Sequence, residues 1–169
     1  LQIHAISDPE DVKNRISDGV IDAMKSIKKS GKARYIGFTG HQNPDAHIEM
    51  MQNNPELKEF STLQMPMNTV DFASDHSFVR KVLPVALDNE LGILAMKTLA
   101  DGRFFSDKTQ IERVKWTTET PVIPNYISIK EALYFAWSLP ISVLISGAEN
   151  KDLILEKIKF AKEFVSLSK

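Results

Sequence analysis

The chain has 169 residues, 43% of them hydrophobic and 25% charged, an ordinary globular composition with enough apolar material for one packed core. A formal net charge of −1 and a pI near 6.5 leave no electrostatic footprint for nucleic acid or an acidic membrane, so a small-molecule partner is expected. The absence of cysteine excludes disulfides, thiolate metal sites, cysteine nucleophiles and any iron–sulfur cluster held by the chain itself.

No apolar run approaches the roughly 18 to 20 residues that a membrane helix needs, and the residues from Leu1 onward do not open on a basic-then-apolar leader pattern. A cytoplasmic location is the default expectation for such a chain. It opens directly on Leu-Gln-Ile-His-Ala-Ile, a run that resembles a buried strand without a polar lead-in, so further residues are expected upstream.

Leu1 to Ile6 reads as the first strand. Asp8 and Pro9 then start a helix whose apolar positions Val12, Ile16, Val20, Met24 and Ile27 step by three or four, and Gly31 stops it. Ala33 to Phe38 is a second β-like run, and Asn43-Pro44 opens a short helix with Ile48 and Met51 on one side. The unit recurs with a strand from Ser61 to Met65 and a helix from Ser77 to Asn89. There Phe78, Val82, Leu83, Ala86 and Leu87 face inward, Pro84 is a point of kinking, and Leu91-Gly92 ends the unit.

Ile93 to Met96 is the fourth strand. The irregular stretch from Leu99 to Ile127, with Gly102, Pro121 and Pro124, is too long for a bare connector. Ser128 with Glu131 is a capping-box signature for a helix running to Ser138, which Pro140 ends. Ile141 to Ile145 is the fifth strand. Asn150 or Lys151 then leads into a terminal helix bearing Ile154, Ile158, Ala161 and Val165 at helical spacing.

Five short apolar strands, each followed by an amphipathic helix, predict a parallel sheet covered by helices, an α/β fold. A doubly wound sheet would carry a glycine fingerprint after its first strand, and Ile3-His4-Ala5-Ile6-Ser7-Asp8 has none. A (β/α)8 barrel would instead carry polar residues at the C-terminal ends of its strands. They occur at each end: His4, then Thr39-Gly40-His41, Gln64 with Asn68, Lys97, and Ser146-Gly147. A complete barrel takes about 250 residues in eight units, and this chain supplies five such units.

The segment Gly31-Lys32-Ala33-Arg34-Tyr35-Ile36-Gly37-Phe38-Thr39-Gly40 resembles the Gly-Lys-x-Arg-x-Ile-Gly-x-Ser-Asn stretch around the fifth strand of aldo-keto reductases. Gln64 in Ser-Thr-Leu-Gln-Met-Pro-Met-Asn is similar to the sixth-strand Gln of that family, and Leu91-Gly92-Ile93-Leu94-Ala95 to the entry into its seventh strand. Ile145-Ser146-Gly147 stands where the family has the Ile-Pro-Gly phosphate turn after the eighth strand, and His4 where the fourth-strand catalytic His sits. The resemblance covers essentially the whole chain, from the family's fourth strand to its eighth helix. It implies the C-terminal five βα units of a (β/α)8 TIM barrel, with the first three units lying outside this chain.

The resemblance also implies a reaction. Hydride passes from NADP or NAD to a carbonyl carbon of a small-molecule aldehyde or ketone, while a Tyr tuned by Lys and Asp protonates the oxygen. Those three residues precede the fourth strand in the family, so only His4 of the tetrad falls in this chain. Its neutral imidazole would donate a hydrogen bond toward the developing oxyanion. By residue type alone, His4 reads as a hydrogen-bonded core histidine. His41, His47 and His76 lack metal-ligand spacing and read as surface residues, so no metal site is expected.

Thr39 and Gly40 stand where the family has Ser and Asn, which with the sixth-strand Gln hold the nicotinamide carboxamide. Thr39 and Gln64 retain the donors and acceptors for that task, whereas Gly40 would leave it to backbone groups or His41. Gln64 reads equally as a structural hydrogen bond inside a barrel. Met96 replaces the Tyr that stacks on the nicotinamide, and a thioether packs against an aromatic face less rigidly. Lys97, next to Leu99 and Gly102, would meet the pyrophosphate as a point charge, or else be a solvated loop lysine.

Ser146, Gly147 and Ala148 lead into a helix whose first N–H groups suit a phosphate. Glu149 falls where relatives carry a basic residue for the 2′-phosphate of NADP, an unfavourable exchange that leaves NAD and NADP both open. Glu156-Lys157 stands where relatives have Glu-Asn near the adenine, and only Glu156 matches. Arg103, Phe104, Phe105 and Trp116 of the long stretch would fold over the cofactor or anchor a loop on the barrel.

Three functions follow: an NAD(P)H-dependent carbonyl reductase within a complete barrel; a cofactor-binding regulatory or interaction protein of the same fold without turnover; or a partial barrel standing alone, inactive, with open strand edges that pair between chains. The carbonyl substrate and the oligomeric state are not legible.

Overall fold

The computed structural model describes residues 1–100, 126–148 and 150–167. The stretch from Arg103 to Trp116 and the acidic Glu149 lie outside the described residues.

Five parallel strands, β1 (Gln2–Ile3), β2 (Gly37–Thr39), β3 (Thr62–Pro66), β4 (Gly92–Met96) and β5 (Val143–Leu144), lie side by side in sequence order. The strand order never reverses. A doubly wound sheet needs such a reversal, whereas consecutive addition in one direction builds the wall of a barrel. The architecture is that of a partial (β/α)8 barrel, as the strand-end polar residues predict.

The helices between the strands are α1 (Pro9–Ser17), α2 (Val20–Lys29), α3 (Pro44–Asn53), α4 (Thr69–Ala73), α5 (Phe78–Asp88), α6 (Ile129–Trp137) and α7 (Lys151–Lys162), with a 3₁₀ turn at Leu57–Glu59. Capping explains most of their starts. Asp8, Asn43, Asn68, Ser77, Ser128 and Asn150 each accept a backbone N–H of the first turn, and Ser128 with Glu131 completes the predicted capping box.

Period-two alternation assigns the two faces of the sheet. Ile3, Phe38, Leu63, Met65, Ile93 and Ala95 are buried against Val12, Ile21, Met24, Met50, Val82 and Ala86 of the helices. The alternate residues Thr62 and Gln64 of β3 and Leu94 and Met96 of β4 lie half-buried on the other face. Each fully buried Val, Leu, Ile, Met or Phe contributes about 1.5–3 kcal/mol, so this sheet–helix layer is where the fold is held.

Several expectations are corrected here. The single helix read from Asp8 to Gly31 is two, because Gly19 takes a left-handed φ of 78° after the Asp18 and Gly19 amides have closed the last turn of α1. The first strand ends at Ile3 rather than Ile6, because Ala5 adopts φ 52° and breaks the extended run; Ile6 N–H then returns to the Thr39 carbonyl at 2.8 Å. The fifth strand is only Val143–Leu144. The helix α4 was not read at all, while α5 runs on through Pro84.

The inward face read for α5 is buried at Phe78, Val82, Leu83 and Ala86 but not at Leu87, and the apolar spacing of the terminal helix does not give a buried face. Leu87 is exposed, as are Ile154 and Ile158 of α7, and Val165 lies beyond that helix's end at Lys162. The end of α7 is instead held to α6, where Phe164 meets Tyr134 edge-on at 5.1 Å and Glu163 lies 3.4 Å from Lys130. Among the described residues, no helix is long and apolar enough to cross a membrane.

Candidate functional site

The C-terminal ends of the strands gather the polar residues. Thr39 of β2 and Gln64 of β3 are register partners, Gln64 pairs with Leu94, and Pro66 pairs with Met96. Alternation therefore brings Thr39, Gln64 and Met96 onto one face of the sheet. The Gln64 amide donates to the Met96 sulfur at 3.1 Å. A thioether is a weak acceptor, so this amide is held loosely and is open to a stronger partner.

Gly40 lies beneath this face rather than on it. Its N–H approaches the Gln64 carbonyl at 3.3 Å, and a Cβ built on it would come within 2.5 Å of the Ile6 carbonyl and 2.8 Å of the His47 ring. The sequence reading placed His47 on the surface; it is fully buried. Its ring meets Phe78 edge-on at 5.2 Å and Phe38 at 5.7 Å, and Nε2 lies 3.5 Å from the Gln64 carbonyl. Burial lowers its pKa to about 4 against the pull of the Gln64 and Asn43 carbonyls, so the imidazole is neutral at physiological pH. The signal was present: His47 shares the helical stripe of Met50 and Met51. His76 is exposed and His41 half-buried.

Beyond β4, Lys97 and Ala100 take left-handed φ values of 53° and 46°, and the Ala100 amide closes back on the Lys97 carbonyl at 2.9 Å. Asn68, the cap of α4, donates to that same carbonyl at 3.2 Å and so ties the loop after β3 to the loop after β4. Between Lys97 and the half-buried Leu99, Thr98 is buried and its hydroxyl finds no hydrogen-bond partner among the described residues. Asp71 stitches the same region from below. Burial pushes its carboxyl up, although the amides of Val79 and Phe78 and the Ser77 hydroxyl all donate to it.

After β5, Ser146 and Gly147 precede α7, whose cap is Asn150. Among the described residues nothing would obstruct a side chain at Gly147, and its carbonyl accepts a hydrogen bond from Lys157. Burial lowers the Lys157 pKa despite the nearby Glu156, which is itself exposed. The structure thus draws together Thr39, Gln64 and Met96, links Lys97 to Asn68, and sets Lys157 on the Ser146-Gly147 turn. Sequence reasoning missed Asn68's link, Asp71 and Lys157 because each acts on a partner supplied by another segment.

At the far edge of the sheet, His4 is exposed and follows β1 in the strained turn at Ala5. Among the described residues, no three His, Asp or Glu side chains cluster as a metal site.

The comparisons agree with this architecture. The family described as Aldo/keto reductase matches residues 1–163, and the chain belongs to that family. It is similar in fold to aldo-keto reductase AKR11C1 from Bacillus halodurans. The TM-score is 0.70 to the holo form at 15% identity and 0.66 to the apo form at 16% identity, over 99% of this chain in each case. It covers 56% of those chains, so it spans little more than half their length. A stretch of 93 residues is 34% identical to protease PrsW from Bacillus subtilis (strain 168), covering 54% of this chain and 41% of that one. That overlap is too small a share of either protein to assign it an activity.

Proposed function

We propose that this chain forms the cofactor-holding part of a complete barrel that reduces a carbonyl substrate, an aldehyde or ketone, to the alcohol with NADPH or NADH. The observation that carries the reading is the pairing of Thr39 with Gln64 on one face of the sheet, the Gln64 amide donating to a methionine sulfur among the described residues. These groups fit a carboxamide, which needs both a donor and an acceptor. The Thr98 hydroxyl, without a partner among the described residues and flanked by Lys97 and Leu99, fits a polar group of the cofactor's diphosphate.

When bound, the cofactor supplies hydride. Thr39 and Gln64 would orient its amide, Met96 would pack on the ring, and Lys97, Ser146 and Gly147 would meet phosphate. Glu156 would stand near the adenine. His4 would donate to the carbonyl oxygen and favour the charge that develops there. Asp, Tyr and Lys from the barrel's earlier units would complete proton transfer. The reading includes a cytoplasmic location.

The test is twofold. The full-length protein should oxidise NADPH or NADH with a panel of aldehydes and ketones, and Gln64→Leu should weaken binding of the reduced cofactor, followed by its fluorescence. Cofactor binding without turnover on any carbonyl would favour the second reading, a cofactor-sensing regulatory protein. The packing that confines residue 40 to glycine, where relatives carry a cofactor-binding Asn, is the observation that favours it. Absence of cofactor binding would remove both readings.

A further inference from the structure

We propose that Arg15 is a positioning residue for His4, an inference that rests on the reading of His4 as the group that orients the carbonyl. His4 belongs to no regular element. β1 ends at Ile3, and the backbone passes through Ala5 at φ 52°, a left-handed conformation that an alanine adopts at a cost. Something outside the turn must hold it.

The structure shows what does. Arg15 Nη1 donates to the His4 carbonyl at 3.1 Å and Nη2 to the Ala5 carbonyl at 3.4 Å, so one guanidinium spans both peptide groups that flank the strained residue. Its third donor, Nε, is bound to Asp11 at 2.8 Å. The other Asp11 oxygen accepts the Ser7 amide at 2.9 Å, on the far side of the same turn. Asp11 is in turn fixed in the first turn of α1 by the Asp8 cap at 2.8 Å.

The turn from His4 to Ser7 is therefore clasped at both ends by one ion pair rooted in a capped helix. Burial alone would raise the Asp11 carboxyl, but the Arg15 guanidinium and the Ser7 amide and hydroxyl hold it below its usual range and keep the clasp charged. A planar fork with donors on three nitrogens suits this task, and a lysine ammonium, a single point of donation, does not. The consequence is directional: with the clasp in place, the His4 Cα–Cβ vector has one setting; without it, the turn relaxes toward ordinary φ values and the imidazole loses its aim.

The experiment compares Arg15→Met, Arg15→Lys and His4→Ala in the full-length protein, reading kcat, KM, cofactor affinity and hydrogen exchange of the Ile6 amide, which binds Thr39 just beyond the turn. The expected result is a kcat about tenfold lower or worse in Arg15→Met, with cofactor affinity unchanged, faster Ile6 exchange, and no rescue by lysine. Ala5→Gly, which adopts this left-handed φ without strain, should keep kcat and thermal stability while the clasp is intact, and should recover part of the kcat lost in Arg15→Met, a rescue that lost folding would not give. A slow His4→Ala enzyme beside an Arg15→Met enzyme of full kcat overturns this inference alone. Full turnover in His4→Ala overturns the carbonyl-orienting reading and this inference with it.

Discussion

Gly40 and His47 occupy each other's limits: a single methyl group on residue 40 would lie 2.8 Å from the His47 ring carbon Cε1, with the Ile6 carbonyl closing the other side. A backbone carbonyl cannot move away as a side-chain tip can. Gly40→Ala is therefore expected to cost about 1–3 kcal/mol, the usual range for overpacking a filled interior. Pairing it with His47→Ala should recover only part of that loss, because Ile6 remains. Urea unfolding of the two single variants and the double variant measures the coupling.

The buried His47 makes stability depend on acidity. Its folded pKa, about 4, lies below the ordinary 6.5, so between those values the unfolded chain binds the proton that the folded chain refuses. This contribution is complete above pH 6.5 and is lost as the pH falls toward 4, on the order of 3 kcal/mol at about 1.4 kcal/mol per pK unit. His47→Gln should flatten the slope of unfolding free energy over that window. An unchanged slope would show that other groups carry it.

Asp71 offers one carboxylate oxygen to Phe78 N–H and the other to Val79 N–H and the Ser77 hydroxyl. An Asn there keeps one acceptor and turns an NH₂ group toward a donor. Asp71→Asn is expected to destabilise by roughly 1–3 kcal/mol, the cost of leaving a polar group unsatisfied, despite its near-identical shape. Thermal unfolding of Asp71→Asn beside Asp71→Ala separates that mismatch from simple loss of the side chain.

The capping box of α6 is a local device and should behave as one. Ser128→Ala removes the acceptor of the Glu131 N–H and is expected to lower stability by about 1 kcal/mol. The effect should appear first as faster hydrogen exchange at the start of α6, with β2 and β3 unaffected.

Much of the fold was legible because its signals are local. The cap residues Asp8, Asn43, Ser77 and Ser128 all start helices where they were read to, and the β3 and β4 strands fall within a residue of their expected bounds. The break at Gly19 was legible too, as an Asp-Gly pair, but the apolar stripe running through Ile16 and Val20 hid it. Spacing alone does not decide burial. Leu87, Ile154 and Ile158 sit at inward-looking spacings, yet whether a stripe is covered depends on which element lies opposite.

The sequence by itself determined the succession of strand and helix, the caps, the polar residues at the strand ends and the family motif, because periods of two and 3.6 and capping act within a few residues. Only the tertiary structure decided that Thr39, Gln64 and Met96 share a face, that His47 is buried where Gly40 permits it, and that Arg15 reaches back to the His4 carbonyl. Those relationships join segments brought together by strand register and helix packing. A one-residue slip in register would turn Gln64 to the opposite face, and no local pattern records that choice.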